Sequence, residues 1–146
     1  MGENKLIAQL NKNLSDVQVL YVKLHNYHWN IQGPQFFEIH RVTEEYYSFF
    51  AVQYDDIAER ILQLGGKPFN TMKDYLENSA IKEEEKNTFT TEDVVNGLIK
   101  DFEYLANELR HTSDLAGIEK DNTTVNMADD FVQWLEKAVW MLKSNY

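Results

Sequence analysis

A chain of 146 residues that is 43% hydrophobic, with 2 Pro and 6 Gly, suits one helical domain better than a disordered or all-β one. The absence of cysteine excludes disulfides, thiolate metal sites and thiol catalysis. A formal net charge of −10 disfavours nucleic acid, whose phosphates are met by Lys and Arg, and is compatible with gathering cations.

Four long stretches carry helical periodicity. In the first, Leu10, Leu14, Val17, Tyr21, Leu24 and His28 fall on one helix face. Gly33-Pro34 breaks the chain. The second helix is predicted from about Phe36 to Leu64, where Gly65-Gly66 and Pro68 stop it. A connection over 69–89 follows, with a short helix expected near Met72–Leu76 and a solvated charged run at Lys82–Lys86. Thr90 and Asp93 resemble a capping pair opening the third long helix, whose stripe is Val95, Leu98, Phe102, Leu105 and Leu109. After a break near Gly117–Asn122, the fourth carries Met127, Phe131, Trp134, Ala138 and Leu142. The expected fold is an all-α four-helix bundle in one domain spanning 1–146, with a short extra helix between helices two and three. No apolar run approaches the roughly 18–20 residues of a bilayer span. The first residues lack an apolar signal-peptide core, so a cytoplasmic protein is expected.

The second helix is the richest in potential metal ligands. With His40 at 0° and about 100° per residue, Glu44 falls near 40°, Asp55 near 60° and Glu59 near 100°. Tyr46, Phe49, Phe50, Ile57, Ile61 and Leu64 lie between about 180° and 300° on the same count. The ligand stripe therefore points out of its own bundle. Glu44 and Asp55 stand roughly 16 Å apart along the axis, too far for one metal. They belong to two pairs, His40/Glu44 and Asp55/Glu59. Positions 40 and 59 have a midpoint of 49.5, as do 44 and 55. Two copies of this helix packed antiparallel about a two-fold axis there would bring one pair from each chain to the other's. Ser48 and Ala51 share that midpoint, and their small side chains allow close approach. His28 precedes Pro34 by as many residues as His40 follows it, which sets the two histidines level across the turn. Two imidazoles and three carboxylates suit Fe(II), with Zn or Mn as surrogates. His25 reads as an ordinary hydrogen-bonded histidine.

A di-iron site inside one bundle needs Glu-x-x-His motifs from two helices. The chain has one, Glu108-Leu109-Arg110-His111, and both side chains turn away from the apolar stripe of their helix. They read as surface residues, which argues against an intrachain site.

The stretch His28-Trp29-Asn30, Gly33-Pro34, Phe36-Phe37 and His40 is followed by Asp55-Asp56-Ile57-Ala58-Glu59-Arg60 and Gly65-Gly66. Together these resemble the Dps-type mini-ferritins, as does the closing Trp140-Met141-Leu142-Lys143-Ser144-Asn145. The resemblance implies a ferritin-like bundle assembled as a homo-oligomeric shell of twelve subunits. It implies oxidation of Fe(II) by hydrogen peroxide in preference to dioxygen, storage of ferric mineral inside, and protection from oxidative damage. The family's ligands map onto His28, His40, Glu44, Asp55 and Glu59, with Glu44 standing where many members have Asp. Trp29 is expected near the site. Pores that admit iron map onto Asp121, Asn126 and Asp130, where Asn126 departs from the acidic pattern and Asp129 stands beside the gap. The alternative is a shell that coats DNA with little iron chemistry. Members that bind DNA commonly use a Lys-rich tail; the early residues here hold Lys5 as their only cation, and the charge repels phosphate.

Overall fold

In the computed structural model, which describes residues 4–145, five helices run in chain order: α1 Lys5–Asn30, α2 Phe36–Gln63, the short α3 Met72–Asn78, α4 Thr91–Ile118 and α5 Asn122–Lys143. The architecture is all-α among the described residues, as the periodicity predicted. The helix starts follow from local chemistry. The Asn4 side chain accepts from the Ile7 N–H, that of Thr71 from Asp74 and that of Asp121 from Thr124. Thr90 and Asp93 form a complete capping box.

Helix α2 stops in a Schellman motif: Gly66 N–H donates to the Ile61 carbonyl and Gly65 N–H to that of Leu62, with Gly65 at φ 86°. Helix α4 ends on the same two hydrogen bonds, from Asp121 to Ala116 and Lys120 to Gly117, but Lys120 takes the left-handed position at φ 59°. The next residue, Asp121, immediately caps α5.

The α1/α2 and α4/α5 pairs close on one core that includes Leu14, Leu24, Phe50, Leu98, Phe102 and Leu135, all fully buried. Aromatic rings join the pairs: Trp134 stacks on Phe49 at 4.0 Å, and Tyr46 meets Phe102 edge-on. The connection before α4 is pinned at several points, among them Asn26, whose side chain donates to the Glu84 and Lys86 carbonyls. Asp16, buried on α1, accepts from the Ser79 hydroxyl, the Ala80 N–H and the Tyr104 phenol. Farther on, Phe89 forms a one-residue parallel bridge with Ile31, donating to the Asn30 carbonyl and accepting from Gln32 N–H. Among the described residues no helix is long and apolar enough to cross a membrane.

One sequence expectation needs correction. Glu108 is half-buried rather than a free surface acid, because Lys12 on α1 reaches across and pairs with it. A wheel drawn on α4 alone does not contain that partner. His111 is exposed, as expected.

Candidate metal centre

The turn at Gly33-Pro34 folds α2 back along α1 and lays the His28 and His40 rings together. Their centroids are 3.6 Å apart and the planes 16° from parallel. Phe36 covers the other face of His40, also stacked, at 5.0 Å. Each histidine grips the other's main chain: His28 Nδ1 lies 2.6 Å from the His40 carbonyl oxygen, and His40 Nδ1 lies 2.8 Å from that of His28. A carbonyl only accepts, so both Nδ1 atoms carry the hydrogen. Both Nε2 lone pairs are thereby directed away from the backbone and kept for a ligand, the arrangement that metal-binding histidines use.

Thr43 completes the clasp. Its buried hydroxyl donates to the Ile39 carbonyl and stands 3.1 Å from His28 Nδ1. Burial outweighs the hydrogen bond to His40 and holds the His28 imidazole below the ordinary histidine value, which favours the neutral, ligating form. The outward side of His28 faces Glu44, with Nε2 and Oε1 4.0 Å apart. That gap is long for a hydrogen bond. A first-row divalent ion at roughly 2.0–2.2 Å from each atom fits within it.

The rest of the stripe lies where the helical count put it. Glu44, Ser48, Ala51, Asp55 and Glu59 are exposed, whereas Ile39, Tyr46, Phe50, Ile57 and Ile61 are buried. The structure thus sets the His28 ring on that of His40 and its Nε2 opposite Glu44, and leaves Asp55 and Glu59 farther along α2. Among the described residues of one chain, no group of three or more His, Asp or Glu is placed to hold an ion.

Several neighbours of the histidines were not singled out in the sequence. Tyr47 meets His28 edge-on at 5.2 Å and stacks on His25 at 3.8 Å. His25 itself bonds the Tyr21 carbonyl through Nδ1. Thr43 did carry a signal, since it falls near 300° on the α2 wheel, where a hydroxyl in an apolar arc needs a partner. Trp29 is 66% exposed, its ring tilted against His25 at 5.4 Å, and Phe37 is 76% exposed, edge-on to Phe36.

The residues mapped to the pore divide. Asp130, Asp129 and Asn126 are exposed on the first turns of α5. Asp121 is half-buried and engaged: it caps α5 and pairs with Arg60 of α2 at 2.8 Å. Burial opposes its ionisation, but the Thr124 hydrogen bonds and Arg60 outweigh that and hold its carboxyl below the usual range.

Comparisons with known proteins agree with this architecture. The Ferritin-like domain family matches residues 7–145. General stress protein 20U of Bacillus subtilis is 44% identical over 140 residues, 96% of either chain. The DNA protection during starvation protein of Helicobacter pylori is 40% identical over 131 residues, covering 90% of this chain and 91% of that one. Among solved structures, Dps from Staphylococcus aureus superposes with a TM-score of 0.94 at 34% identity, covering 99% of this chain and 96% of that one. Dps from Vibrio cholerae, described as a member of a broad superfamily of ferritin-like diiron-carboxylate proteins, gives 0.92 at 37% identity, with 96% and 87% covered. The chain belongs to the ferritin-like family and, within it, to the Dps proteins.

Proposed function

We propose that the protein oxidises Fe(II) at sites formed between two copies of the chain and stores the ferric product inside a shell of twelve subunits. The observation that carries this reading is the reciprocal histidine clasp. It presents two Nε2 lone pairs and Glu44 on an outward helix face whose remaining acids, Asp55 and Glu59, share its two-fold midpoint. His28, His40 and Glu44 of one chain and Asp55 and Glu59 of the partner would then surround the substrate iron.

The imidazoles hold geometry, and the three carboxylates favour the higher charge of Fe(III) over Fe(II). With hydrogen peroxide as oxidant, two Fe(II), one peroxide and two protons give two Fe(III) and two waters. Both electrons reach one peroxide, so no hydroxyl radical is released. Dioxygen is the second oxidant. Exposed acids at Asp129 and Asp130 would draw Fe(II) toward the shell. Zn or Mn would occupy the same ligands, and Zn, which has no redox chemistry, would do so without turnover.

The test is to load the protein with Fe(II) anaerobically and mix with peroxide. Ferric absorbance should rise faster than in a protein-free control, and equal rates would refute the reading.

A second reading, a shell that coats DNA, is favoured by the names of the relatives alone. The net charge of −10 opposes it. A gel shift at low salt that retards DNA would establish it.

A further inference from the structure

Arg60 directly follows the candidate ligand Glu59, yet its guanidinium reaches another helix. Nε donates to the Thr124 hydroxyl at 2.9 Å and Nη2 to Asp121 Oδ1 at 2.8 Å, while Nη1 holds Gln63 at 3.0 Å. Thr124 is fully buried, and the Arg60 and Asp121 side chains are 16% and 15% exposed. The fork thus makes two directed bonds in a shielded place and a third to the exposed Gln63, where a lysine could keep the charge but not the geometry.

On α2, Arg60 lies about 100° around the axis from Glu59. Fixing one therefore fixes the rotation of this end of the helix. Glu59 and, one turn back, Asp55 are carried outward by the same rotation. The Schellman stop at Gly65-Gly66 ends the helix one turn later, so the clamp and the buried Ile57 and Ile61 are what hold this end.

We propose that Arg60 is the positioning residue of the Asp55/Glu59 pair, and that it acts through Asp121. This rests on the intersubunit iron site argued above. It also reassigns Asp121. Its carboxylate is committed to the clamp and to the α5 cap, so the charges left to attract iron near the start of α5 are Asp129 and Asp130. The pore position and the ligand pair are one mechanical unit.

Co(II) is a suitable probe because its visible spectrum reports coordination and its affinity is an equilibrium quantity. In the assembled protein, Arg60→Gln should weaken Co(II) binding about tenfold, the size expected for an outer-shell partner, and alter the visible bands. Asp121→Asn should do the same, and the double variant should be no worse than the poorer single. If Asp121 were a pore charge alone, Asp121→Asn would slow Fe(II) uptake and leave the Co(II) affinity unchanged. Arg60→Lys guards against a folding failure and should fall between the unaltered protein and Arg60→Gln. Unchanged affinity and bands in these variants would overturn the proposal. Where the unaltered protein binds Co(II) and Asp55→Ala abolishes it, that result sinks Arg60 alone. Where Asp55→Ala has no effect, the intersubunit site fails and the proposal fails with it.

Discussion

His28 and His40 each donate Nδ1–H to the other's main-chain carbonyl, at 2.6 and 2.8 Å, while their rings stack. The clasp ties side-chain tautomer to backbone position. Neither ring turns over without breaking a bond to the opposite helix.

The strictest test of sharing between chains is complementation. His40→Ala removes one half of a site and Asp55→Ala with Glu59→Ala the other, so each homogeneous shell should be inactive. In a mixed pair, one of the two sites has both halves intact and the other has neither. Random co-assembly in equal amounts should restore about a quarter of the peroxide-driven Fe(II) oxidation. No restored activity in shells verified as mixed would rule out the two-fold arrangement.

Thr43→Val keeps shape and removes the hydroxyl beside His28. The valine cannot accept from Nδ1, although the His40 carbonyl still does. The cost should appear mainly as metal affinity, about tenfold weaker for Co(II), with a stability loss of about 1 kcal/mol. Titration and thermal melting on the same preparation separate the two.

Asp121 gives a pH signature. Its carboxyl lies below the usual range in the fold, so the unfolded chain takes up the proton first as pH falls. Its contribution is complete above the unfolded value near about 3.9 and is lost as pH falls through the lower folded value. Asp121→Asn should therefore cost about 1 kcal/mol at neutral pH. The two melting temperatures should converge as pH drops below about 4.

Gly97 lies against the Tyr27 hydroxyl, and a Cβ there would collide with that oxygen. Tyr27 is buried and held by Phe89 edge-on at 4.9 Å, so it yields little room. Gly97→Ala should cost about 1–3 kcal/mol. Adding Tyr27→Phe should recover most of it, which chemical denaturation of the two variants checks.

The fold was legible because each long helix carries an apolar stripe, and the breaks at Gly33-Pro34, Gly65-Gly66 and near Gly117–Asn122 fall between those stripes. The outward stripe of α2 followed from angle alone, and the level placement of His28 and His40 from their equal distance to Pro34. The clasp was not legible, because main-chain carbonyls bear no residue identity. Glu108 was misread because its partner Lys12 lies on another helix. The Arg60–Asp121 pair spans 61 positions, and no local pattern connects its members. Sequence periodicity reports which way a residue faces; it does not report what waits there.

The single-residue bridge between Ile31 and Phe89 closes the long crossover beside the turn that sets the two histidines. It works as a latch. A protease that cut the exposed run at 85–88 would free two chain ends, yet the downstream fragment would stay buttoned to the α1–α2 corner by its two main-chain bonds. The histidine corner is thus insulated from damage to that exposed run.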